Sequence, residues 1–145
     1  MRILLTGAAG FIGFHLASEL LKQKHSIIGL DNLNSYYSVK YKKHRIEILK
    51  KIKNFNFKKI DLKNKKKLSL LFETSKPECV LHLASQPGIM YSFKNPSTYM
   101  SNNVLATKNL ILVSISYKVK KFYFTSSSSV YGNKKKFPIK ENSKL

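Results

Sequence analysis

MRILLTGAAGFIG, the stretch from Met1 to Gly13, decides the fold. Arg2 to Thr6 is a short run rich in Ile and Leu, with the length and composition of a buried parallel strand. From Phe11 to Lys24 apolar residues recur at helical spacing, with Ile12, Leu16 and Leu20 in one row and Ala17 and Leu21 beside them. Gly7, Gly10 and Gly13, spaced three apart, therefore occupy a strand-to-helix turn. Gly7 permits the tight turn out of the strand, Gly10 lets the backbone approach a pyrophosphate with no side chain between, and Gly13 lets the helix lie close to the sheet. A diphosphate would rest on the N–H groups that open the helix, where the helix dipole favours negative charge. Phe11 and Ile12 flank that same opening.

Outward from the turn, Ser26 to Asp31, SIIGLD, reads as the second strand and ends in a carboxylate. Asp31 follows the last glycine at close to the spacing of about 20 residues found when an acidic side chain holds the adenosine ribose. A carboxylate at that place accepts hydrogen bonds from both ribose hydroxyls and repels a 2′-phosphate, so the expected cofactor is NAD rather than NADP.

The chain has 145 residues, enough for one domain with a real core, and its 43% hydrophobic content is ordinary for a globular protein. Its formal net charge of +20 raises the question of a nucleic-acid partner. Only Arg2 and Arg45 are arginine, and the lysines are scattered, whereas nucleic-acid readers lean on arginine for bidentate contacts. The charge is read as a field that gathers small anions, with no nucleic-acid partner. No apolar segment approaches the roughly 18 residues a membrane span needs, so no membrane partner is expected. Cys79 is the one cysteine and lies in an apolar run, so it reads as a small core residue, and a cytoplasmic location is expected. His15, His25 and His44 show no ligand spacing, so no metal site is expected. His82 sits inside an apolar strand and reads as a satisfied core histidine rather than a catalyst.

The remaining elements follow in order. Asn32 to Tyr41 reads as a polar, tyrosine-rich loop, and roughly Lys42 to Lys53 as an exposed basic helix. Phe55 to Asp61 is the third strand, with Asp61 and Leu62 at its carboxyl end, and Lys63 to Ser75 is a helix closed by Pro77. Cys79 to Ala84 is the fourth strand, Ser85 to Pro96 a loop, and Ser97 to Tyr117 one full crossover helix. Lys121 to Ser126 is the fifth strand, followed by a serine run and Val130-Tyr131-Gly132. Strands alternating with helices predict an α/β fold, a Rossmann-type doubly wound parallel sheet of order 3-2-1-4-5. Ligands then gather at the carboxyl ends of the strands, which places Gly7, Asp31, Asp61, Ala84 and Ser127 on one rim. Residues 1–132 read as one nucleotide-binding domain, and residues 133–145 as a polar, lysine-rich tail.

The segments TGAAGFIG (Thr6 to Gly13), LDNLNSYY (Leu30 to Tyr37), IDL (Ile60 to Leu62), LHLASQPG (Leu81 to Gly88), YMSNNVLATKNLI (Tyr99 to Ile111) and SSSSVYG (Ser126 to Gly132) together resemble the extended short-chain dehydrogenase/reductases. Within that group they are similar to the NAD-dependent nucleotide-sugar epimerases and dehydratases. LDNLNSYY with the YSFKNP segment (Tyr91 to Pro96) most resembles the UDP-glucuronate 4-epimerases, although Met90 stands where arginine is expected in them. The resemblance implies that Asn32 joins Asp31 among the cofactor-binding residues, that Asp61 and Leu62 hold the adenine, that Leu83, Ala84 and Ser85 line the dinucleotide, and that Asn103 approaches it from the crossover helix. It implies that Ser127 hydrogen-bonds the reacting sugar hydroxyl, with Ser128 beside it. Serines at 128 and 129, where related dehydratases carry an acidic pair, favour epimerisation over elimination. A small-molecule nucleotide sugar is the implied partner, and a homodimer is implied for a full-length protein.

The family's base is a tyrosine in a Tyr-x-x-x-Lys pair on one helical face, its pKa lowered by the lysine. Three such spacings occur here, Tyr36/Lys40, Tyr117/Lys121 and Tyr131/Lys135, and none stands in the family's order after the serine run. The expectation is that the chain is truncated before that pair and before the substrate-binding portion. Two functions remain open: the amino-terminal cofactor part of a UDP-sugar 4-epimerase, or an NAD-binding module that is catalytically incomplete. Truncation would also leave the fifth strand with an open edge.

Overall fold

Five parallel strands, β1 (Arg2–Thr6), β2 (Ser26–Asp31), β3 (Phe55–Lys59), β4 (Cys79–His82) and β5 (Lys121–Phe124), form one sheet of order β3-β2-β1-β4-β5. The structure is a computed structural model and describes residues 1–134 and 137–145. The sheet order is the one the alternating pattern predicts, because each right-handed crossover places its helix on a sheet face and the direction of winding reverses at β1.

Helices α1 (Phe11–Lys22) and α2 (Val39–Lys50) cover one face, and α3 (Lys65–Ser75) and α6 (Ala106–Ser116) the other. Strand alternation divides the core accordingly. Ile3 and Leu5 of β1 pack with Ala17 and Leu21 of α1, while Leu4 points to Leu68, Phe72 and Leu110. Cys79 is buried in the first of these clusters, and burial pushes its thiol pKa up, as suits a core residue. Gly29 in β2 has a packing reason: a Cβ there would lie 2.6 Å from the Phe55 ring.

Local signals set several ends. Asn64 caps α3 by accepting from the Lys67 N–H at 3.0 Å, and Lys76 closes it in the left-handed region, at φ 44°, just before Pro77. The β3 edge is blunted by exposed Lys58 and Lys59. At the other edge, Tyr123 and Phe124 of β5 are each 57% exposed.

Two expectations need correction. Ser85 to Pro96 is not all loop, because a six-residue helix, α4 (Ile89–Lys94), follows Gly88. Ser97 to Tyr117 is not one regular helix. A short α5 (Pro96–Tyr99) runs into a π-helical stretch, Met100–Leu105, before α6. The wider turn admits one more residue per hydrogen-bonded ring than an α-helix, a change that hydrophobic periodicity does not register.

Candidate functional site

The carboxyl ends of the strands open into a cleft of about 740 Å³, within the usual size range for ligand sites. Gly7, Gly10, Phe11, Ile12 and Gly13 form its floor, Asp31 and Asn32 one wall, Asp61 and Leu62 its far end, and Leu83, Ala84 and Ser85 the opposite wall. Twelve of the residues singled out in the sequence thus line one cavity.

The glycine turn works as its spacing implies. Gly7 adopts φ +72° and lies against β4, where a Cβ would come 2.9 Å from the Ala84 nitrogen. A Cβ on Gly13 would overlap the Gly7 carbonyl, so only glycine lets α1 sit this close to the turn. Gly10 is the N-cap of α1 and offers no side-chain cap, and the first turn of the helix carries no acidic residue. The helix N-terminus therefore faces the cleft with its N–H groups unspent. Phe11 and Ile12, 67% and 63% exposed, stand at the mouth instead of in the core.

Asp31 is buried at the tip of β2. One carboxylate oxygen accepts from Ala9 N (3.2 Å) and the other from Leu33 N (2.8 Å), which fixes the carboxylate while each oxygen keeps an acceptor position. Asn32 donates to Asp61 Oδ2 at 3.2 Å, tying the second and third strand ends together, and Lys63 Nζ reaches both Asp61 (3.5 Å) and Asn102 (3.1 Å).

Lys42 was not singled out by sequence. It is buried in α2, and its ammonium donates to the backbone and side-chain oxygens of Asn34 at 2.9 and 2.8 Å. Burial lowers its pKa, Asp31 opposes that shift, and Arg45 adds to it. Arg45 donates to the Ala9 carbonyl at 3.2 Å. The signal that could have found both is their spacing of three on a helix that starts behind the Asp31 loop.

On the opposite wall, one hydroxyl organises β1 and β4. Thr6 Oγ1 accepts from the N–H groups of Leu83 (3.2 Å) and Ala84 (3.1 Å), so its single proton goes to His82 Nδ1 at 2.7 Å. His82 then carries its proton on Nε2 and donates to Thr107 Oγ1 at 2.8 Å. Burial pushes the His82 pKa down to about 4, which keeps the ring neutral at pH 7. It is a satisfied core histidine, as its apolar strand suggests.

Asn103 is absent from the lining of the cleft. Its amide is taken up by the Gln86 backbone, accepting from Gln86 N at 2.7 Å and donating to Gln86 O at 3.0 Å, while Asn102 takes the lining position. Ser127 and Ser128 also lie outside the lining, although Thr125 belongs to it. Ser127 caps a 3₁₀ turn (Ser128–Tyr131) by accepting from Ser129 N at 3.2 Å. Of the Tyr-x-x-x-Lys spacings, Tyr36 lies in a loop ahead of α2, Tyr117 ends α6 while Lys121 opens β5, and Lys135 lies outside the described residues. Among the described residues no group of three potential metal ligands exists, and no helix is long and apolar enough to cross a membrane.

The model of one protein family, the NAD dependent epimerase/dehydratase family, matches residues 3–145. The chain belongs to that family. This epimerase/dehydratase chain is 46% identical over 132 residues to protein CapI of Staphylococcus aureus, covering 91% of the chain and 39% of CapI. It is 41% identical over 128 residues to a UDP-glucuronate 4-epimerase of Thermodesulfobacterium geofontis, covering 88% of the chain and 40% of that protein. Among solved structures, the UDP-glucuronic acid 4-epimerase of Bacillus cereus in complex with UDP-glucuronic acid and NAD superimposes with a TM-score of 0.87 at 36% identity, over 97% of this chain and 44% of that one. The epimerase/dehydratase chain therefore spans about two fifths of the length of the relatives it matches.

Proposed function

We propose that these residues are the cofactor-holding part of an NAD-dependent UDP-sugar 4-epimerase acting on UDP-glucuronate and UDP-galacturonate. The observation that carries the reading is the pairing, across one cleft, of an uncapped α1 N-terminus with a fixed Asp31 carboxylate that has acceptor capacity to spare. The diphosphate and the adenosine half of a dinucleotide find complementary groups there. Gly10 leaves room at the helix N-terminus for a diphosphate, Asp31 for a ribose diol, and Asp61 with Leu62 for an adenine.

Bound NAD would supply reversible hydride transfer at the sugar carbon. The chain's own residues bind and orient. Asp31 selects against a 2′-phosphate by charge, and the Thr6–His82 pair holds the β4 end, so that Leu83, Ala84 and Ser85 present a fixed wall. Asn103 acts by holding the Gln86 backbone, and Ser127 and Ser128, which follow β5 in the chain and lie outside the cleft lining, are assigned to the sugar by the family resemblance. No Tyr-x-x-x-Lys pair shares a helix face among the described residues, so this stretch is read as holding cofactor without turning over the sugar. The glucuronate assignment rests on LDNLNSYY and on the relatives named above, with Met90 counting against it.

Titration of the purified chain with NADH and NADPH, followed by nicotinamide fluorescence, tests the reading. NADH is expected to bind, NADPH at least tenfold more weakly, and Asp31→Ala to remove the difference. No NADH binding, or a preference that survives Asp31→Ala, would refute it. Turnover of UDP-glucuronate by the 145 residues would refute the catalytic incompleteness alone.

A further inference from the structure

The loops that follow β2 and β4 leave the sheet on opposite sides of β1, so their roots stand about 10 Å apart, two strand spacings, astride the glycine turn. They nevertheless touch. The hydroxyl end of Tyr36, from the β2 loop, lies against Gly88 of the β4 loop so closely that a Cβ on Gly88 would overlap Tyr36 Oη. The Tyr36 ring also meets Tyr91 of α4 edge-on, with centroids 5.0 Å apart.

Each side of this bridge is anchored from below. On the β2 side, Asp31 accepts from Leu33 N, Asn32 Oδ1 from Asn34 N (3.1 Å), and Lys42 grips Asn34 twice. On the β4 side, Asn103 holds Gln86 on both backbone groups, and the Tyr99 hydroxyl shares its proton between the carbonyls of Pro87 and Gly88 at 2.6 and 2.5 Å. Gly88 sits at φ +102°, which a side chain would strain, so the glycine serves both the turn and the contact. Tyr36 and Pro87 also line the cleft, so the bridge is part of its wall.

We propose that Tyr36 and Gly88 close a strap over the diphosphate segment of the dinucleotide, and that opening this contact limits cofactor entry and release. The inference rests on the dinucleotide reading above. It names Tyr36 as a positioning residue whose work is retention. A redox-neutral epimerisation returns its cofactor unchanged, so slow release costs nothing in turnover, and a strap that hinders exchange is compatible with the chemistry. The aromatic contact suits the task because it is strong enough to persist and holds no buried charge that would have to be desolvated again on closing.

The test is stopped-flow displacement of bound NADH by excess NAD from the 145-residue chain, with association followed separately. Tyr36→Ala and Gly88→Ala are each expected to raise the release rate about tenfold or more and to raise the association rate with it, so that affinity changes less than either rate. Tyr36→Phe keeps the ring against Tyr91 but removes the oxygen that meets Gly88, and is expected to raise the release rate by less than Tyr36→Ala does. The double variant is expected to release no faster than the faster single variant, because both changes open one contact. Where Gly88→Ala disturbs its loop more widely, Tyr36→Ala reads the contact alone. NADH bound by wild type and released at an unchanged rate by Tyr36→Ala would overturn the strap and leave the cofactor reading standing. Wild type that binds no NADH would overturn both.

Discussion

Thr6→Val is the sharpest test of how β1 positions the wall of the cleft. Valine is close to threonine in shape and puts a methyl where the hydroxyl stood, so a fully buried position stays filled while its hydrogen bonds are lost. That hydroxyl serves three partners: it accepts from Leu83 N and Ala84 N and donates to His82 Nδ1. Leaving a buried polar group unpaired costs about 1–3 kcal/mol. Leu83 and Ala84 are only partly buried, so water relieves part of their loss, whereas His82 is 1% exposed and bears its share in full. The sum is about 3–4 kcal/mol, a large part of the roughly 5–15 kcal/mol that stabilises an ordinary domain. Thr6→Ser is the control, because it keeps the hydroxyl and gives up one methyl at about 1 kcal/mol. Urea unfolding at pH 7, followed by circular dichroism, measures both variants. If Thr6→Val lies within about 1 kcal/mol of Thr6→Ser, the three hydrogen bonds do not hold β4 to β1 and the argument fails.

Three further predictions concern other parts of the molecule. His82 is depressed to about 4 in the folded chain against 6.5 in its unfolded reference, so the unfolded state binds the extra proton first; stability is unaffected above pH 6.5 and falls by about 3 kcal/mol in all as pH drops through 4. Urea midpoints between pH 7 and 4 should show this slope in wild type and lose it in His82→Asn. Gly13→Ala, whose Cβ would overlap the Gly7 backbone, is expected to cost about 3 kcal/mol or more, whereas Gly10→Ala, whose Cβ would stand 3.1 Å from the Gly7 oxygen, should unfold within about 1 kcal/mol of wild type yet bind NADH at least tenfold more weakly. Tyr123→Lys places a charge on the exposed β5 edge and is expected to raise the concentration at which the chain self-associates in light scattering; an unchanged threshold would clear that edge of blame.

What the sequence disclosed follows from how directly each residue's role depends on backbone position. Gly7, Asp31 and Asp61 stand at or just past strand ends, and Gly10 and Gly13 at the start of the helix that follows β1, so once the strands are counted their convergence follows from topology alone. Asn103 and Ser127 show the opposite case: their place on an element was legible, but which way the side chain points was not. The π-helical stretch turns Asn103 onto the Gln86 backbone and leaves Asn102 at the cleft, a rotation that no periodicity announces. Lys42 was legible as a helix residue and illegible as a buried one, because burial of an ammonium depends on Asn34, eight positions away, offering two oxygens. Helix α4 was missed because Pro87, Gly88 and Pro96 bracket a segment too short for a periodic signal.

The π turn at Met100–Leu105 also bears on how this crossover tolerates insertion and loss. A single-residue deletion inside a regular α-helix rotates everything downstream by about 100° and would tear Leu110 and Val113 out of the core. Here one residue is in surplus, since each i→i+5 ring can contract to i→i+4. Deleting one residue within Met100–Leu105 would let the ladder heal as a plain α-helix, with α6 still in phase with the sheet. What would be lost is the split aim of two adjacent asparagines, one into the cleft and one onto the loop beside it.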